Sequence, residues 1–359
     1  MKKLLVFLLS ILLLTACSSA PAEEEQVDEV EVIKVALLVG ELGDLSFNDS
    51  AARGVNRAAE EFSNVEVDIV EYGSAAVDNY EPTLLDTADA GYDLIFASST
   101  LQDLVEQYAP DYPETTFGVF DTQIDFTKGD LSNVYGIVYK ANEASFLGGY
   151  LAASLSQTGT LAFLGGMDIP VISDFLVGYI QGAQLANPDI KVTTTYAGSW
   201  GDAPAGKDLA NTMFDQGADV IFNVAGGTGI GGIEASVERG LFSLGVDSDQ
   251  AMIYDADGKT DFANAIVSSV LKNVDYSLYR AITMYMDGTL AVGTNETLGI
   301  AEGGVGLADN KYYQANVSEE IRTAIADLEA QVTAGEIEIM SAYGMSTEEI
   351  AAIRDQVKP

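Results

Sequence analysis

The chain has 359 residues, 17 basic and 55 acidic, for a formal net charge of −38, and it contains no histidine. A polyanion of this density repels nucleic acid and anionic lipid surfaces, which excludes both as electrostatic partners. The missing histidine removes the commonest general base and metal ligand, and no HExxH, GxSxG or P-loop GxxxxGK[ST] pattern offers another catalytic signature.

The first residues, MKKLLVFLLSILLLTAC, place two lysines before an apolar run from Leu4 to Leu14 and small residues before Cys17. That run is shorter than the ~20 residues of a membrane span and reads as a secretory signal over 1–16. The stretch LTAC resembles the lipobox, the cleavage site of bacterial lipoproteins. The resemblance implies cleavage before Cys17 and fatty acyl chains on its thiol and new amino group. The protein would then be lipid-anchored on the extracytoplasmic face of the cell membrane. Cys17 is the sole cysteine, so none remains for a disulfide, a catalytic thiol or a zinc site. Residues 17–32, with the acidic run EEEQVDEVE, read as a flexible tether.

Short β-rich runs then alternate with helical patterns. The predicted strands are 32–39, 65–72, 93–99, 115–120 and 133–139, then 160–166, 190–198, 219–227, 241–247 and 251–256 (AMIYDA). Helical stretches such as DSAARGVNRAAEEF and PAGKDLANTMFDQ lie between them, and ANEASFLGGYLAASLSQTG joins the two series. Strand and helix in turn predict parallel sheets with helices on both faces. A series that runs twice, with 48% hydrophobic residues to fill its cores, predicts two α/β lobes joined by a hinge. We place lobe 1 at 33–142 plus about 273–288, and lobe 2 at 143–272 plus about 289–359.

In open parallel sheets, ligands bind beyond the carboxyl ends of the strands. Those ends carry polar and aromatic residues here. GDLSFND, with Asp44, Phe47 and Asn48, follows the first strand, and Asp121 follows 115–120. Phe175 follows 160–166, Trp200 follows 190–198, and Gly226 and Gly227 follow the run DVIFNVA. Asp247 ends 241–247, and Lys272 follows AIVSSVL. Lys272 is nearly the only cation of the set, whereas a phosphate or carboxylate ligand would want several. The mixture suits a neutral ligand with a flat ring and many hydroxyl or ring N–H groups. Each residue also has a plainer role. Phe47 could be a hydrophobic staple. Asn48 or Asp49 is expected to cap the following helix. Phe175 fits a core pattern with Val177, Tyr179 and Ile180, and Lys272 could simply pair with a carboxylate.

GDLSFNDSAARG, NEASFLGGYLAA, GGMDIPVISDFLVGYIQGA, YAGSWGDAPAGKDLA, DQGADVIFNVAGGTGIGGIEA and GVDSDQ resemble, in order, the basic membrane protein family of bacterial lipoproteins. That family includes purine nucleoside receptors that feed ABC importers. The resemblance implies a type I periplasmic-binding-protein fold that closes as a monomer around one purine nucleoside (inosine, guanosine or adenosine). It further implies an ABC permease as partner, no cofactor and no catalysis. It places Phe47 and Trp200 on opposite faces of the purine, and Asn48 and Asp121 at the base edge. Asp247 and Lys272 would hold the ribose hydroxyls, with the Gly226–Gly227 backbone near the sugar. Two positions depart from the family pattern. Trp200 stands where Phe is frequent, and Asp174 stands where Arg is frequent, before Phe175.

Three rival readings remain at this point. Gly227, Gly229 and Gly232 fit the GxGxxG dinucleotide fingerprint between a strand and a helix, with Asp247 ending the next strand. That reading predicts an NAD-dependent enzyme. It falls in the second lobe of an exported chain and lacks an accompanying base. An adhesion or host-factor-binding lipoprotein would use the acidic surface. A nucleoside hydrolase would need an acid–base pair or metal cage that the separated acids do not provide.

Overall fold

Val35 to Val39 in the first strand are fully buried, as are Leu94 to Ala97 in the third. Such unbroken apolar runs belong to strands covered on both faces, and parallel pairing requires a crossover helix between them. The structure, a computed structural model, describes residues 32–359. The expected signal segment, the lipidated Cys17 and the tether up to residue 31 lie outside the described residues.

The strands in chain order are β1 (Ile33–Val39), β2 (Val65–Glu71), β3 (Leu94–Ser98), β4 (Thr116–Phe120), β5 (Val134–Tyr139) and β6 (Thr160–Gly165). They continue with β7 (Lys191–Tyr196), β8 (Val220–Val224), β9 (Phe242–Asp247), β10 (Ile266–Lys272), β11 (Thr294–Leu298) and β12 (Val305–Leu307). Among the described residues they form two six-stranded sheets, ordered β11-β5-β4-β3-β1-β2 and β12-β10-β9-β8-β6-β7. Pairing is parallel throughout, except where β12 runs antiparallel to β10. Each sheet repeats the doubly wound order 2-1-3-4-5, so β6 to β10 correspond to β1 to β5. The expected two-lobed α/β architecture is therefore present, and residues 32–359 cluster as one unit.

The helices are α1 (Phe47–Glu61), α2 (Tyr80–Asp89), α3 (Gln102–Tyr108), α4 (Ala141–Leu155), α5 (Pro170–Ala186), α6 (Ala203–Asp215) and α7 (Gly227–Arg239). After these come α8 (Gln250–Ala256), α9 (Thr260–Ala265), α10 (Val274–Met286), α11 (Lys311–Asn316), α12 (Glu319–Thr333) and α13 (Thr347–Gln356). None is long and apolar enough to cross a membrane among the described residues. The joining motif becomes α4, which lies backbone to backbone against α5. A Cβ on Gly182 would sit 1.8 Å from the Phe146 carbonyl oxygen, and one on Gly149 would sit 2.0 Å from that of Tyr179. Only glycine permits that approach. The chain crosses between the sheets after β5, after β10 and between β11 and β12.

Two expectations are corrected. AMIYDA is helix α8 rather than a strand. The Asp249 side chain accepts the Met252 N–H at its start, and Gln250, Ala251 and Tyr254 bury one helical face. The strand position beside β9 is taken by β10 instead. Residues 294–298, placed with lobe 2 from the sequence, form β11 at the edge of the first sheet. Asn295 fixes it there by exchanging hydrogen bonds with the Ile124 backbone (both 2.9 Å).

Candidate functional site

The turn after β1 is built by two aspartates. Asp49 reaches back to accept the N–H groups of Gly43 (2.8 Å) and Leu45 (2.9 Å). Asp44 accepts those of Ser46 (3.0 Å), Asn48 (2.9 Å) and Asp49 (3.1 Å). Helix α1 thus begins at Phe47 and is capped by Asp44. The expectation that Asn48 or Asp49 would be the N-cap is corrected, because the helix starts earlier and Asp44 already meets its first donors. Burial pushes the Asp44 carboxyl up to about 6 against the pull of its three N–H partners. Leu45 is held at φ 53, a left-handed value costly for a leucine, so the turn is strained. Phe47 occupies the first helical position, whereas a hydrophobic staple uses the residue before the cap. Its ring lies 5.4 Å from that of Phe120 and stays half-buried at the lobe edge.

Asp121 directly follows β4, and Asp247 ends β9, the corresponding strand of the other sheet. Both are left-handed, at φ 69 and φ 62, which short polar side chains tolerate best. Between them stands Lys272 at the end of β10, only 3% exposed. Its Nζ lies 2.9 Å from Asp121 Oδ2 and 3.3 Å from Asp247 Oδ1. Three rings surround the ammonium, with centroids at 4.6 Å for Phe47, 5.2 Å for Phe175 and 5.9 Å for Tyr139. Burial pulls the lysine pKa down, but the two carboxylates outweigh it and hold it above its ordinary value. Burial raises Asp121 to about 6, because the lysine and its hydrogen bond only partly offset the desolvation. Asp247 Oδ1 is buried and accepts no hydrogen bond, although it lies within ion-pair distance of Lys272.

Phe175 is buried, with its ring 6.1 Å from Phe222. It therefore packs in the core while presenting a face to Lys272. Its neighbour Asp174 is fully buried and engaged by protein groups. One oxygen accepts Ser341 Oγ (2.7 Å) and the Ala342 N–H (2.9 Å), and the other accepts the Asn142 N–H (3.1 Å). Asp174 thus ties the start of α4 to the returning C-terminal segment. That segment brings in Tyr343, whose hydroxyl is held above its usual range by burial and by the charges of Asp121 and Asp174. No sequence signal marked Tyr343, since its approach depends on contacts to residues far away in the chain.

Trp200 is half-buried in the loop after β7. Its ring covers Gly166, where a Cβ would sit 2.3 Å from Cζ3. Its carbonyl accepts the Thr228 N–H (3.0 Å) in the first turn of α7. Gly226, at φ 53, and Gly227 lie against that same carbonyl. The remaining fingerprint glycines have packing roles. A Cβ on Gly232 would meet Asn223 Oδ1 at 1.8 Å, and one on Gly229 would meet Asn223 Cβ at 3.3 Å. At the mouth, a Cβ on Gly201 would come within 3.3 Å of Glu41 Oε2 from the first lobe. A cavity of about 460 Å³ opens behind Asp247, bounded by Ser50, Arg53, Ser248, Met252 and Asn273. It touches the candidate set at Asp247 alone.

Asp121, Asp247, Lys272, Phe47 and Phe175 are therefore assembled in one place. Trp200, Gly226 and Gly227 form a second group, on the lobe that also carries Asp247, Lys272 and Phe175. Asp44 shapes the turn that presents Phe47. Asn48 joins the Phe47 turn, with its amide nitrogen 3.7 Å from where a Gly40 Cβ would lie.

The family model for "ABC transporter substrate-binding protein PnrA-like" matches residues 32–341. The chain belongs to this family. The PnrA-like chain is 32% identical over 348 residues to Basic membrane protein A of Borreliella burgdorferi, covering 95% of this chain and 96% of that protein. It is 30% identical over 315 residues to the CD4+ T-cell-stimulating antigen of Listeria monocytogenes, covering 84% and 85%. Among solved structures, an ABC transporter solute-binding protein of Aeropyrum pernix K1 is 30% identical, with a TM-score of 0.76 over 91% of this chain and 99% of that one. The resemblance to the basic membrane protein family, read from the sequence, is thereby established. As a PnrA-like protein, the chain is the extracytoplasmic substrate-binding component of an ABC transporter, a class that works with a small-molecule ligand and a permease.

Proposed function

We propose that the ligand is a purine nucleoside, captured between the lobes and passed unchanged to the permease, with the protein held at the membrane by acyl chains on Cys17. The observation that carries this reading is Lys272, a single buried ammonium shared by Asp121 and Asp247 and faced by Phe47 and Phe175. Carboxylates outnumber the cation, so an anionic ligand gains little. A carboxylate is acceptor-only and selects N–H and O–H donors. A nucleoside supplies both, from its base edge and its ribose diol, together with a flat ring for the aromatic residues. In this reading Asp121 meets the base, Asp247 and Lys272 meet the ribose, and Phe47 and Trp200 close on the ring from opposite lobes. The dinucleotide alternative loses support, because Gly229 and Gly232 serve helix–strand packing and the Thr228 N–H is already bonded to Trp200.

The stacking role has a direct test. Base–aromatic stacking contributes about 1–3 kcal/mol per base, so Phe47→Ala is expected to weaken inosine binding about five- to hundred-fold. The melting temperature without ligand should move little, because Asp44 rather than Phe47 starts α1. Calorimetry on parent and variant, with free ribose as a competitor lacking a ring, separates the effects. A variant that binds inosine normally but melts early would assign Phe47 to packing.

A further inference from the structure

Ser46 occupies the N-cap position of α1 yet makes no side-chain cap bond. A serine there ordinarily accepts an N–H two or three residues on. Asp44 takes the N–H groups of Asn48 and Asp49 instead, which frees the Ser46 hydroxyl. That hydroxyl points across to the other lobe and donates to Asp247 Oδ2 at 2.6 Å. The contact is returned, since Ser248 Oγ donates to the Ser46 carbonyl at 3.1 Å and Arg53 donates to Ser248 Oγ at 2.8 Å. Ser46 is fully buried in this seam.

We propose that Ser46 is a positioning residue for ligand capture: its hydroxyl joins the lobes through Asp247 and leaves the other oxygen of that carboxylate to the ligand. Two features of Asp247 give the contact this consequence. Its left-handed backbone fixes the direction of its Cβ, so one hydrogen bond to Oδ2 suffices to orient the carboxylate plane. Its Oδ1 is buried, accepts no hydrogen bond and lies 3.3 Å from Lys272 Nζ. An oxygen so placed accepts a ligand hydroxyl beside the ammonium. A hydroxyl–carboxylate bond of this length belongs to the strong, charge-assisted class. Opening the lobes breaks it and releases the orientation of Asp247, so the contact that favours the closed lobes also sets the grip on the ligand. The identity of the ligand hydroxyl rests on the nucleoside reading, whereas the contact between the lobes does not.

The test compares the full chain with Ser46→Ala and Ser46→Thr. Without ligand, hydrogen exchange is expected to speed up by about three- to ten-fold in peptides spanning 244–249 in the Ala variant. Peptides within 50–61 should keep their protection, because Asp44 still caps α1. With inosine, the dissociation rate should rise by a similar factor, and Thr should restore both readouts. Ser248→Ala, which removes the return bond to the Ser46 carbonyl, should act in the same direction with a smaller effect, and it decides the matter if the Ala variant fails to fold. Parent-like exchange at 244–249 in both Ser46→Ala and Ser248→Ala would overturn the proposal. Faster exchange throughout α1 would make Ser46 a helix cap and overturn it too. If the parent binds no nucleoside, the exchange measurement still decides the contact, and the nucleoside reading alone fails.

Discussion

Lys272→Met is expected to lower the stability of the ligand-free protein by about 3–5 kcal/mol, the usual cost of removing one partner from a buried ion pair. The mechanism is specific. Asp121 and Asp247 are 6% exposed and share this ammonium. Methionine matches the stem of the lysine but leaves two carboxylates in an apolar surround with no counter-charge. Urea or guanidinium melts of parent and variant measure the effect. Adding Asp121→Asn and Asp247→Asn to the Met variant should recover much of the loss, since neutral groups do not carry the ionic desolvation cost. Nucleoside binding should stay lost in the triple variant. A loss below about 1 kcal/mol in Lys272→Met would show that the lysine is not the charge on which this seam depends.

Asp121→Ala is expected to weaken purine nucleosides about five- to hundred-fold, because base N–H donors left unpaired in a closed cleft cost about 1–3 kcal/mol. The same carboxylate predicts two pH effects of opposite sign. Asp121 is raised to about 6 from an ordinary 3.8, chiefly by burial. The folded state therefore holds the proton more tightly than the unfolded chain. Stability from this group is greatest below pH 4 and falls as pH rises through 6. Asp44, also raised to about 6, and Asp174, raised by burial, add the same sign. Glu296 is held below its ordinary 4.5 by Arg280 and so changes only beneath the window from pH 5 to 7. The ligand-free protein should thus melt higher at pH 5 than at pH 7. Affinity should do the reverse, falling toward tenfold per unit below pH 6, as the acceptor is lost to protonation. Melting and calorimetry across pH 5–7 check both. Affinity that is flat with pH, in parent and Asp121→Ala alike, would move Asp121 away from the base.

The sheets were readable because buried parallel strands are unbroken apolar runs bounded by turns. AMIYDA misled for the same reason, since a short apolar run does not distinguish strand from buried helix. The distinguishing signal was the Asp249 cap. β11 was missed because TNETL is polar and sits at an edge, held by Asn295 rather than by burial. Asp121, Asp247 and Lys272 were legible singly as strand-end residues. Their pairing was not, because Lys272 and Asp121 are 151 positions apart. Ser46 was hidden because Asn48 and Asp49 drew the cap reading, and nothing local aims its hydroxyl at Asp247, 201 positions away. Asp174 and Tyr343 depend on a C-terminal segment that returns to the hinge, and no local pattern announces such a return.

Calorimetric titration of the chain with inosine, guanosine, adenosine, free ribose and NAD tests the central claim most directly. The account predicts saturable binding of at least one purine nucleoside at one per chain, with that nucleoside recovered intact by chromatography and with ribose and NAD far weaker. NAD or ribose binding more tightly than every nucleoside, or no heat from any nucleoside, would contradict it.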